Sequence, residues 1–125
     1  MMSTADASID DLRDTGAVEA FVDRLLAHRS AHTRVAYRRD VVGFVRFVRE
    51  AGITRWSEIT PALLRAYVAE RRGEGVSART LARTLSAIRA VTRALVADGV
   101  LASDPTSAVK APRAPRTLPK AMDVD

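Results

Sequence analysis

Two stretches of this 125-residue chain concentrate the residue types that hold phosphate. Ser30, His32, Thr33 and Arg34 crowd the first, with Arg38 one turn on; Ser77, Arg79 and Thr80 crowd the second, with Arg83, Ser86 and Arg89 strung out behind them. Serine just ahead of a helical run is an N-cap. The free N–H groups and partial positive charge at a helix start attract anions, and arginine adds a planar fork of donors. The phosphates of double-stranded DNA are the ligand that two such starts would suit. The plainer alternative is that Ser30 and Ser77 only cap, while the arginines face water. No paired carboxylates, nucleophile elbow or glycine-rich phosphate loop offers other chemistry, and Tyr37 and Tyr67 read as core tyrosines, so no catalytic residue is expected. His28 and His32 stand four apart without a carboxylate cluster to complete a metal set, so neither a metal site nor a cofactor is expected.

Charge distribution sharpens this. Net charge is +5, and 18 of the 20 basic residues are arginine. Between Arg24 and Arg93 there are 15 arginines against five acids, whereas the first 23 residues carry six acids and one arginine. Basicity therefore belongs to the middle of the chain, where it would attract a polyanion. With no cysteine, disulfides and thiolate metal sites are excluded. Arginines interrupt every apolar stretch and the amino terminus carries aspartate, so no membrane span or export signal is expected and a cytoplasmic location is.

The elements that must position these residues are helical throughout. Val18, Phe21, Val22, Leu25 and Leu26 make the apolar stripe of a first helix over about 17–28, capped by Asp14 or Thr15. Ser30 precedes a second over about 31–51, closed by Gly52, with Tyr37, Val41, Phe44, Val45, Phe47 and Val48 on one side and Arg38, Arg39, Arg46 and Arg49 on the other. Gly43 within it marks either a close helix crossing or tolerated drift. Thr60 and Pro61 start a third helix over about 61–72, and Ser77 a fourth over about 78–97. On that last helix Leu81, Leu85, Ile88, Thr92 and Leu95 fall within about 40° of one line, with Arg79, Arg83, Ser86 and Arg93 opposite and Arg89 on the flank. The fold class expected is all-α, a compact bundle of four helices forming a domain over 15–110. A flexible acidic leader, 1–14, precedes it. After a short turn at Asp104 and Pro105 comes a basic linker over 111–125, kept extended by Pro112, Pro115 and Pro119.

The run from Ser30 to Asp40, followed by Phe44 and Phe47, resembles the S-x-x-T-x-x-x-Y-x-x-D-L-x-x-F signature of the core-binding domain in Xer-type tyrosine recombinases of the phage-integrase family. Ser77 to Arg89 is similar to that family's S-x-R-T/S-I-x-R-x-L-S-A-L-R. Its G-x-x-x-x-N-P and L-P-K follow in order as Gly99–Pro105 and Leu118–Lys120, with Asp104 in place of the common asparagine and Val91-Thr92 in place of an aromatic pair. The resemblance covers about residues 17–122.

It implies a helical, SAM-like domain lying over the major groove, one half of a clamp whose other half is a catalytic domain beyond the linker. That domain would break and rejoin DNA through a phosphotyrosyl link, with four sibling subunits assembled on two sites, in integration, mobile-element transposition or chromosome-dimer resolution. By similarity, His32, Thr33, Arg34 and Arg38 on the second helix and Ser77, Arg79, Thr80, Arg83, Ser86 and Arg89 on the fourth would bind DNA. Two other readings compete: a stand-alone helix-turn-helix regulator using residues 60–97, and a helical adaptor that binds an acidic partner and ignores DNA.

Overall fold

The computed structural model describes residues 9–113, and its helices begin where short side chains can cap them. The first, α1 (Thr15–Leu25), starts from Asp14, whose carboxylate accepts the Ala17 N–H. Helix α2 (Ala31–Glu50) starts from Ser30, α3 (Pro61–Gly73) from Thr60 with Pro61 in its first turn, and α4 (Ala78–Ala97) from Ser77. Three of the four spans agree with the sequence reading to within a residue. The first does not: the stripe suggested 17–28, yet α1 begins two residues earlier and unwinds after Leu25. The Ala27 and Arg29 N–H groups turn back to the Arg24 and Leu26 carbonyls, because the chain must reverse before Ser30 opens α2. Leu26 still reaches the core from this turn.

Helix α2 is the spine, packed chiefly against α4 on one side and α1 on the other. Val41, Phe44, Val45 and Val48 of α2 meet Leu64 and Tyr67 of α3 and Leu85, Ile88, Val91 and Leu95 of α4 in one continuous core. Gly43 resolves in favour of a close crossing: a Cβ there would lie 3.1 Å from the Tyr67 hydroxyl of α3. Gly52 supplies the positive φ, 91°, that lets the Ile53 N–H turn back to the Val48 carbonyl and close α2. Among the described residues there is no strand, only an isolated bridge between Asp11 and Arg55, and no helix is long and apolar enough to cross a membrane.

Between α2 and α3, Trp56–Glu58 form a 3₁₀ turn that the sequence reading did not anticipate, with Trp56 buried against Phe44. This turn is also where the acidic leader departs from expectation. Residues 1–8 lie outside the described residues, but from Ile9 onward the segment is tied down rather than free. Asp10 accepts from the Ser57 N–H and hydroxyl and from Arg55 Nε, the Leu12 N–H donates to the Thr54 carbonyl, and Leu12 is fully buried. Its partners lie more than forty residues downstream, so no local pattern announces it.

The other end is anchored as firmly. Asp104 Oδ1 accepts from the Thr92 hydroxyl at 2.8 Å, the Thr106 N–H at 2.8 Å and the Thr106 hydroxyl at 2.7 Å, folding the chain past Pro105 into a turn against α4. Burial pushes the Asp104 carboxyl upward, but the bonds from Thr106 and Thr92, with Arg89 nearby, outweigh it and leave the group below its ordinary value of 3.8. A depressed carboxylate stabilises the fold in full above the unfolded value and loses that contribution as pH falls through the folded one. Thermal melts should therefore show wild type losing stability below about pH 4 by a margin that Asp104→Asn lacks, since the amide keeps Oδ1 as an acceptor without titrating; parallel acid profiles for the two would refute this. Of the expected linker, residues 114–125, with Pro115, Arg116, Pro119 and Lys120, lie outside the described residues.

Candidate nucleic-acid interface

The two helix starts that sequence singled out are built alike. Ser30 Oγ accepts the Thr33 N–H at 3.1 Å and donates to Thr33 Oγ1 at 3.0 Å; Ser77 Oγ does the same with Thr80, at 3.1 Å in both bonds. Both serines are thus engaged in capping. His32 is exposed beside the first cap and Arg79 beside the second, while Arg34 reaches back to the Arg29 carbonyl through Nη1.

The arginines divide into two sets. Arg38 is ion-paired with Asp23 of α1 at 3.0 Å. Arg83 grips Asp40 of α2 with two bonds, Nε to Oδ2 at 2.8 Å and Nη2 to Oδ1 at 2.9 Å, and the Thr84 hydroxyl donates to the same carboxylate at 3.1 Å. That contact raises the Arg83 pKa further above its already high ordinary value, through the hydrogen bond to Asp40 first and against a smaller loss from burial. Arg89 lies on the far side of α4. Its guanidinium donates to the Thr106 hydroxyl and to the Thr106 and Val109 carbonyls, fastening the exit turn. Four of the expected arginine ligands, Arg34 included, therefore have intramolecular partners, and Arg89 stands apart from the rest.

The second set faces outward. Arg39 and Arg46 on α2 are exposed, as are Arg79, Ser86 and Arg93, which follow one another at seven-residue spacing along α4. None of these four arginines is ion-paired among the described residues. An open cleft of about 760 Å³ joins the two helices. Arg39, Arg46, Thr80 and Arg83 line it together with Gly43, Phe47 and Tyr67, and Glu50 of α2, Glu70 of α3 and Glu74 just after α3 share its lining. Arg39 and Arg46 belong to the cationic side of their helix but not to the expected ligand set; the signal that includes Arg39 is the absence of any acid three or four residues away on α2, whereas Arg46 has Glu50 four residues on and is found free of it only in the structure. Burial raises the Tyr67 phenol pKa, with Arg71 opposing and the nearby acids adding to it, so this tyrosine stays protonated at neutral pH.

The arrangement can grip a polyanion: outward arginines without acid partners among the described residues, one arginine oriented by a buried carboxylate, and hydroxyls at two helix starts. Comparisons agree with a nucleic-acid context. Residues 18–99 match the family model described as phage integrase, N-terminal SAM-like domain. The chain is 37% identical over 110 residues to tyrosine recombinase XerC of Pseudomonas aeruginosa (strain LESB58), covering 86% of this chain and 36% of the relative. It is 38% identical over 109 residues to tyrosine recombinase XerC of Chromohalobacter salexigens, covering 87% and 37% respectively, and 38% identical over 110 residues to that of Pseudomonas putida (strain W619), covering 86% and 37%. The chain thus spans little more than a third of the length of these relatives. No solved structure gives a significant match.

Proposed function

The chain belongs to the phage integrase N-terminal SAM-like domain family, and from that premise we propose that it binds double-stranded DNA as the core-binding domain of a tyrosine recombinase. The observation that carries this reading is the set of outward arginines without an ion pair among the described residues: Arg39 and Arg46 on α2, which line a cleft with Arg83 and Thr80, and Arg79 and Arg93, exposed along α4. His32, Thr33, Arg34 and Ser86 complete the same footprint, mainly as phosphate contacts. Arg38 takes part only if it leaves Asp23, and Arg89 and Ser77 serve the fold.

The relatives' names, tyrosine recombinase, extend in this proposal to a longer protein in which residues 15–110 are the DNA-gripping domain and 111–125 a linker toward a catalytic domain. Strand cleavage and rejoining belong to that other domain, and sibling subunits assemble with it on two sites. The same proposal includes a role in chromosome-dimer resolution and a cytoplasmic location, both suggested by the likeness to the XerC relatives.

Fluorescence anisotropy with labelled duplex, over a range of salt, tests the binding. Each neutralised phosphate contributes about −0.9 to the slope of log affinity against log salt, so a footprint of four or five contacts gives roughly −4. No strand breakage accompanies it. A flat salt response, or preference for an acidic peptide over duplex, would refute the reading in favour of a helical adaptor.

A further inference from the structure

We propose that Asp40 is a positioning residue for DNA contact, acting through Arg83. The inference rests on the reading that the α2 and α4 face binds DNA. Asp40 sits within that face, yet its side chain is only 7% exposed, and its two oxygens are occupied by Arg83 Nε, Arg83 Nη2 and the Thr84 hydroxyl. Arg83 itself is 39% exposed. A guanidinium carries five N–H donors. Asp40 engages one edge, and the Nη1 edge, without a partner among the described residues, is left in the cleft that also contains Arg39, Arg46 and Thr80. An arginine free to rotate loses side-chain entropy when it meets a phosphate; one already clamped by a carboxylate has little left to lose.

The consequence has a sign opposite to simple electrostatics. Removing an acid from a phosphate-binding face should tighten binding by Coulomb's law, and for Asp23, which pairs with Arg38 near the surface, that is the expectation. For Asp40 the expectation is the reverse. An asparagine offers a single acceptor and an N–H₂ that opposes the guanidinium, so the fork is lost and Arg83 swings free.

Anisotropy titrations of the full chain with duplex DNA over a salt series test this. Asp40→Asn should weaken binding roughly five- to tenfold, part of the value of one charge-assisted hydrogen bond, and flatten the salt slope by about 0.9. Asp23→Asn should bind as well as wild type or better. In an Arg83→Gln background, Asp40→Asn should have no further effect. Binding by Asp40→Asn at or above wild-type affinity, or an equal loss with and without Arg83, overturns the inference while leaving DNA binding in place. Absence of salt-dependent binding by wild type overturns the DNA reading itself, and this inference with it. Circular dichroism establishes that each variant folds. Should Asp40→Asn not fold, Arg83→Lys asks the same question, because one ammonium cannot both satisfy Asp40 and present an oriented edge; wild-type affinity in that variant overturns the inference.

Discussion

Replacing Phe44 with alanine is expected to destabilise the domain by about 3–5 kcal/mol, the range for truncating a fully buried aromatic ring. Phe44 is wholly inaccessible, and its ring centroid lies 6.4 Å from that of Trp56 and 5.3 Å from that of Tyr67, the latter in an edge-on geometry. It is the point at which α2, α3 and the 3₁₀ turn meet. Its removal leaves a cavity between elements held by helix crossings that cannot easily collapse, because Gly43 already brings α2 and α3 close together. Domains of this size have a total stability of about 5–15 kcal/mol, so the variant should lose a large fraction of it. Urea titration measures it through the midpoint; a loss below about 1 kcal/mol would mean that the aromatic contact is peripheral to the core.

The largest effect on binding is expected from the triple replacement Arg39→Ala, Arg46→Ala and Arg79→Ala. Taking about 1 kcal/mol for each exposed phosphate contact, affinity for duplex should fall by on the order of a hundredfold. The salt slope should flatten by about 2.7, corresponding to three released phosphates. These side chains are exposed and make no ion pairs among the described residues, so helicity and melting temperature should scarcely change. Arg24→Ala with Arg65→Ala, on α1 and the outer surface of α3, removes charge elsewhere and should cost little more than a general electrostatic loss. Equal effects from both sets would show that net charge, not a defined face, drives association.

Where sequence foretold structure, the signal was local. Ser30, Thr60 with Pro61 and Ser77 each sit within three residues of the N–H they satisfy or the turn they open, and the helices start there. The apolar stripes of α2 and α4 likewise found one another because each covers a whole helical face. The site was legible only in outline. A helical wheel places Arg38, Arg83 and Arg39 outside the core, but it carries no word of Asp23, fifteen residues upstream of Arg38, or of Asp40, forty-three upstream of Arg83. Only packing α1 and α4 onto α2 brings those acids in, and so separates oriented or fastened arginines from free ones. Arg89 is the sharpest case. Its place in the family motif suggested a ligand, whereas the turn after Asp104 folds back over it and accepts from its Nε and Nη2. Substituting aspartate for the family's usual asparagine at that turn keeps the acceptor the turn requires.

The tether formed by Asp10 has a kinetic consequence. The donors it needs, on Arg55 and Ser57, lie more than forty residues downstream, so its closure is expected late in folding rather than in the nucleus. The same few bonds can open as a small cooperative unit, with a free energy below that of global unfolding. Trp56 is 2% exposed and is the sole tryptophan in the chain. One intrinsic fluorophore thus sits where the amino-terminal strap lifts, and its emission records the fraying of that strap as well as the collapse of the core beneath it.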